Sequence, residues 1–222
     1  MTAIVEAYVR TRERVVGLLL PADDALLQER IPACPAWSVQ ELLTHLVSMP
    51  AALSTGRWPT GAISDWLDEL IVERKGQASE ELIAEWRSLD GAMAGLLDGP
   101  SALLFDDLAV HEHDLRSAVN RPDHQALETA QVLPRALAAF GEPLRAAGLG
   151  AIEVRSGDEV WRSHEDVAGW TLLVDPWTAV RAVSSRRTAD ELRELPSTGK
   201  ADDYIGVLDA HLPLAAAPLR EP

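Results

Sequence analysis

Between residues 3 and 19 apolar side chains recur at helical spacing. Ile4, Val5, Tyr8, Val15, Leu18 and Leu19 share roughly one face. The pattern predicts an amphipathic helix ended by Pro21. Ile31 to Trp37 then reads as a loop stiffened by Pro32 and Pro35. Ser38 is placed to cap the next helix, and Glu41 completes a capping box. That helix, Val39 to about Leu53, turns Leu42, Leu43, Leu46 and Val47 inward, with His45 among them. Helical spacing resumes over Ser64 to Arg74, with Trp66, Leu67, Leu70 and Ile71 inward. A further helix opens at Ser79, with Glu81 as a capping acid, and runs through Leu82, Ile83, Trp86, Leu89, Met93 and Leu96 to a stop at Gly99-Pro100. Ser101 begins another, which Asn120-Arg121-Pro122 ends. Residues 125–147 read as helix again, with Pro134 and Pro143 permitting breaks.

After Gly148-Leu149-Gly150 the period changes from helical to alternating. Ile152 to Arg155 and Glu159 to Arg162 flank a Ser156-Gly157-Asp158 turn, a hairpin signature. Gly169 to Val174 predicts a third strand, and Asp175-Pro176-Trp177 starts a helix with Pro in its first turn. Short helices follow at 188–195 and 201–210, before an Ala/Pro-rich segment expected to fray. The fold class expected is α+β: a helical domain over residues 1–148, then a small α/β domain over 149–222.

Composition narrows the function classes. A formal charge of −15 disfavours nucleic acid, whose phosphates need a basic face. The single cysteine, Cys34, rules out an intramolecular disulfide and fits a reducing cytoplasm. The N-terminal stretch scatters Glu6, Arg10, Arg12, Glu13 and Arg14 where a secretory signal needs an apolar core. No apolar run reaches ~18 residues, so no membrane partner is expected. A cytoplasmic monomer or homodimer is the expectation.

The densest chemistry lies in Asp106 to Arg116. Asp107 and His111, four apart, share a helix face and offer an oxygen and a nitrogen to one divalent ion. By itself this spacing is equally that of a surface pair. His45, among apolar neighbours on an earlier helix, either bonds a polar partner or supplies a further ligand. Helices facing one another can bring such residues together, and three protein ligands with an open position suit Zn²⁺ or a similar ion. Asp106 is rotated off the His111 face. His113 lies about 200° from His111 and reads as a polar helix contact. Asp114, three beyond His111, can orient that imidazole as an acceptor, or pair with Arg116 or Arg121. Glu112 is expected to face solvent or the second domain. Cys34 reads as a small buried residue beside Trp37. Arg57, Arg116, Arg121, Arg181, Arg186 and Arg187 are candidates for a substrate carboxylate. Trp37 and Trp177 are the indoles to watch near a cleft.

Two segments carry a family resemblance. Cys34-Pro35-Ala36-Trp37, leading to Leu42-Leu43-Thr44-His45, resembles the first metal-site motif of the mycothiol-dependent maleylpyruvate isomerase family. Asp107 to His111, followed by Asp114-Leu115, resembles the second. Pro176 to Arg181 and Arg186-Arg187-Thr188 resemble the family's C-terminal region, so the likeness spans nearly the whole chain. It implies a DinB-like metal-binding four-helix bundle followed by a small C-terminal domain, with His45, Asp107 and His111 as the metal ligands. Characterised isomerases of the family carry Glu at the acidic position; Asp107 is one methylene shorter.

The resemblance also implies mycothiol as the thiol cofactor and a small electrophile as substrate. In an isomerase of this type the thiolate adds to a conjugated double bond, the resulting single bond rotates, and elimination gives the trans isomer. A transferase begins with the same activation. The expected function is therefore a metal-dependent, mycothiol-assisted isomerase or thiol transferase. The competing expectation is a non-catalytic metal- or small-molecule-binding sensor or carrier of the same fold.

Overall fold

The computed structural model describes residues 2–20, 22–122, 126–219 and 221. It is a mixed α+β chain whose internal contacts divide it into two units, residues 1–121 and 122–222.

The first unit is helical apart from one small hairpin. α1 spans Ala3–Leu19 and buries Val5, Tyr8, Val15 and Val16. Pro21, expected to end it, lies outside the described residues. A short α2, Asp24–Gln28, follows with Asp23 as its cap. The stretch read as a loop forms β1 (Arg30–Ile31) and β2 (Cys34–Ser38), antiparallel with an irregular register. Pro32 lies in the turn between the strands, and Pro35 fits in β2 because a two-stranded ribbon leaves outward positions that need no backbone donor.

Ser38 then caps α3 (Val39–Ser54) in the expected box: its hydroxyl accepts from the Glu41 amide, and Glu41 accepts from the Ser38 amide. α4 spans Ile63–Glu73. The helix expected from Ser79 onward is two, α5 (Ser79–Ser88) and α6 (Asp90–Leu97). The break has a tertiary cause. Buried Arg12 of α1 donates to the Trp86 carbonyl at 3.4 Å and pairs with Asp90, capping one helix and holding the start of the next. Ser79 is the first helical residue, as expected, and its hydroxyl donates to Gln40 Oε1 at 2.6 Å.

A 3₁₀ turn at Pro100–Ala102 leads into α7, Leu103–Ala118. α3 contacts α4, α5, α6 and α7, and α1 packs on α6 and α7. Leu42, Leu43, Val47, Leu82, Trp86, Met93, Phe105 and Leu108 form the buried core between them.

The second unit starts earlier than the change of period at residue 148 suggests. α8 (Ala126–Ala138) contains Pro134 and packs on α10 and β4. α9 is Gly141–Ala146. The predicted hairpin is β3 (Ala151–Ser156) with β4 (Glu159–Arg162), and the third strand is β5 (Ala168–Leu172). α10 (Pro176–Val183) is capped by Asp175, whose carboxylate accepts from the Trp177 and Thr178 amides. α11 (Ala189–Glu194), an unforeseen strand β6 (Ser197–Gly199) and α12 (Ala201–His211) complete the unit.

The sheet order is β4-β3-β5-β6, with β3 and β5 parallel and the outer pairs antiparallel. Glycine is required at 169. An added Cβ there would overlap the Tyr204 hydroxyl, which donates to the Gly150 carbonyl at 3.2 Å. Among the described residues, no helix is long and apolar enough to cross a membrane.

Candidate metal centre

The packing of α3 on α7 sets His45 against the turn of α7 that carries Asp107 and His111. His45 Nε2 lies 3.1 Å from Asp107 Oδ2, and His111 Nε2 lies 3.4 Å from Asp107 Oδ1. Ligand atoms of the three residues all fall within 4.8 Å of one another. The imidazoles are nearly enclosed, while 26% of the Asp107 side chain is exposed. The cluster therefore opens to solvent on its carboxylate side.

This donor set suits a tetrahedral ion in type. With bonds of about 2.0–2.2 Å to nitrogen and oxygen, neighbouring ligands of zinc stand about 3.4 Å apart. The two imidazole–carboxylate separations are within a few tenths of an ångström of that. Two nitrogens and one oxygen leave one position open. The shorter acid reaches both histidines without a bridging water, so the missing methylene does not keep Asp107 from the cluster.

The two imidazoles are braced unequally. His111 Nδ1 lies 2.9 Å from Asp114 Oδ2, and Asp114 is fully buried. The carboxylate keeps a proton on Nδ1 and aims Nε2 at Asp107. His45 Nδ1 is buried with no hydrogen-bond partner among the described residues. An ion on His45 Nε2 would place a proton on that unpartnered nitrogen, which weakens the site relative to one with both rings braced.

Electrostatics couples the three. Burial pushes the Asp107 carboxyl up, but the adjacent His45 and His111 outweigh it and hold the group far below the usual carboxylate range. Burial likewise favours neutral His111. The charge and hydrogen bond of Asp107, with hydrogen bonds from the ring to Asp114 and Cys34, overcome this and hold the imidazole well above its ordinary value. Any ion entering the cluster takes the place of that imidazolium proton.

Two neighbours come from the hairpin. Trp37 packs its ring 4.8 Å from His45 and 6.1 Å from His111, walling one side. Cys34, expected to be a small buried packing residue, is half-buried, and its sulfur lies within 4.8 Å of donor atoms of His111 and Asp114. The sequence signal for it was only its place at the head of the Cys-Pro-Ala-Trp segment.

The other candidates lie elsewhere. Asp106 and His113 are buried on α7 and outside both donor groups. Glu112, expected to face solvent or the second domain, is 1% exposed and clamped between Arg14 and Arg116. Arg57 pairs with Glu69 and Glu73 at the surface. Arg121 is exposed at the end of the first unit. Arg181, Arg186, Arg187 and Trp177 belong to the second unit. A depression of about 210 Å³ lined by Ser48, Thr55, Arg57, Arg74 and Glu85 includes none of the triad. Comparison with family models, with curated proteins and with solved structures gave no match in any of the three.

Proposed function

We propose that the helical unit is a DinB-like metal-binding bundle and that the chain is a metal-dependent, mycothiol-assisted isomerase or thiol transferase acting on a small electrophile. The observation that carries the reading is the convergence of His45 Nε2, the Asp107 carboxylate and His111 Nε2 from two helices. A divalent ion bound there, zinc best matching the donors, would supply Lewis acidity and hold a coordinated thiol as thiolate at neutral pH. The chain's own residues do the rest. Asp114 fixes the His111 ring. Asp107 contributes the negative charge that balances a cation. Trp37 excludes water from one flank, and the exposed edge of Asp107 marks the side from which ligands approach.

Metal content of protein purified without chelator, compared with His45→Ala and His111→Ala, tests the centre; equal content in all three sinks it. Mycothiol-dependent conversion of a panel of conjugated and epoxide electrophiles tests the activity. A second reading is favoured by the direct His45–Asp107–His111 contacts, since the cluster satisfies most of its own polar groups. It is a binding protein of the same fold without turnover, and saturable mycothiol binding with no conversion of any electrophile would select it.

A further inference from the structure

The second unit encloses a carboxylate between two arginines. Arg181 on α10 has a fully buried side chain, and Arg187 follows in the turn beyond that helix. The Arg187 guanidinium lies 5.5 Å from the centroid of the Trp177 ring. Arg181 Nε donates to Glu221 Oε1 at 2.6 Å, and Arg187 pairs with Glu221 Oε2. Each carboxylate oxygen thus has its own guanidinium, and the Glu221 side chain is only 6% exposed.

Receptor and occupant differ in how they are built. Trp177 and Arg181 stand on a capped helix, and Arg187 is stacked on Trp177. Glu221 arrives on a segment, Leu212 to Leu219, that has no regular secondary structure and no buried residue. Its contacts include Ala215 N to the Ser185 carbonyl at 3.1 Å and the Ser185 hydroxyl to the Leu212 carbonyl at 2.6 Å. Beyond it, the Glu221 side chain is enclosed although none of residues 212–219 is fully buried. Two guanidinium forks beside an indole face form a geometry suited to a planar two-oxygen anion.

We propose that Arg181, Arg187 and Trp177 form a binding site for a small free carboxylate, with Glu221 as an intramolecular occupant that the ligand displaces. The site stands independently of the metal centre. A tethered group at an effective concentration of roughly millimolar that binds with a dissociation constant of about 0.1 mM weakens a free competitor about tenfold, so removing the Glu221 charge should tighten binding of a free carboxylate at least tenfold.

Calorimetric titration of the full chain and of Glu221→Gln with acetate and with succinate, against chloride at equal ionic strength, tests this. The expected result is carboxylate binding to Glu221→Gln at least tenfold tighter than to the parent chain, lost again when Arg187→Gln is added. No binding to Glu221→Gln, equal affinity in both chains, or equal binding of inorganic phosphate overturns the assignment. Should Glu221→Gln fail to fold, hydrogen exchange on the parent chain decides. Acetate should speed exchange across residues 212–219 relative to chloride, and an unchanged rate refutes displacement.

Discussion

His111 Nδ1 sits 2.9 Å from a carboxylate oxygen of Asp114, one helical turn along α7. The bond fixes which ring nitrogen is presented to Asp107, so the geometry of the candidate metal centre depends on a residue outside the His45, Asp107 and His111 triad. Asp114→Asn keeps the shape and removes the charge. Outer partners of this kind are typically worth about 10–100-fold in metal affinity. Competition with a zinc-buffering chelator should show a loss in that range, with helical content by circular dichroism retained. Undiminished affinity would mean that the Asp114 contact serves packing alone.

Asp107 already contacts both imidazoles, so its charge should matter more than its length. Asp107→Asn, nearly isosteric, should bind zinc much more weakly than the parent chain. Asp107→Glu, which keeps the charge but must fit an extra methylene, should fall between the two. The same chelator competition ranks them. If Asp107→Asn matches the parent chain, the carboxylate is a hydrogen-bond partner of the histidines and not a ligand.

The parts of this protein set by local sequence were readable without coordinates. The Ser38/Glu41 box fixes the start of α3, and therefore the phase that brings His45 inward. The Asp107–His111 spacing is a property of any helix. What escaped depends on partners far along the chain. The α5–α6 break needs Arg12, and the burial of Glu112 needs Arg14, 98 positions away. β6 exists only because β5 offers it an edge. Helices α8 and α9 have the same composition as those before them, and only their packing on the sheet unit assigns them to it. The approach of Cys34 to His111 rests on a hairpin whose prolines hide the strand pattern.

Glu112 illustrates how strongly such hidden partners should count. Its carboxylate accepts from Arg14 at 2.8 and 2.7 Å and from Arg116 at 3.0 and 2.8 Å while almost fully buried. Glu112→Gln keeps the volume but leaves the two guanidinium groups without their shared counter-charge. Breaking a buried ionic cluster from one side costs about 3 kcal/mol. Urea unfolding should show a loss of that order with little change in slope, while zinc stoichiometry stays the same. A loss below about 1 kcal/mol would place the cluster among weak surface pairs.

Between α1 and α5, Trp86 Nε1 donates to the Tyr8 hydroxyl at 2.8 Å with both rings buried. Burial drives the Tyr8 phenol well above its ordinary value; the Trp86 hydrogen bond opposes this only in part. The sign of the linkage follows. A phenol whose folded value is raised contributes its full stability below the unfolded value of about 10 and loses it as pH climbs beyond. Tyr204, the other tyrosine, is raised in the same direction by burial and then by Asp203. Folded protein held somewhat above pH ~10 should therefore show little tyrosinate absorbance, and the absorbance should rise together with loss of helical signal. Tyr8→Phe should remove part of this alkaline sensitivity. At neutral pH it should cost about 1–3 kcal/mol, because the Trp86 N–H is left buried without its acceptor. Tyrosinate appearing at its ordinary pH while the helical signal is intact would show that the Tyr8 hydroxyl is open to solvent, contrary to this packing.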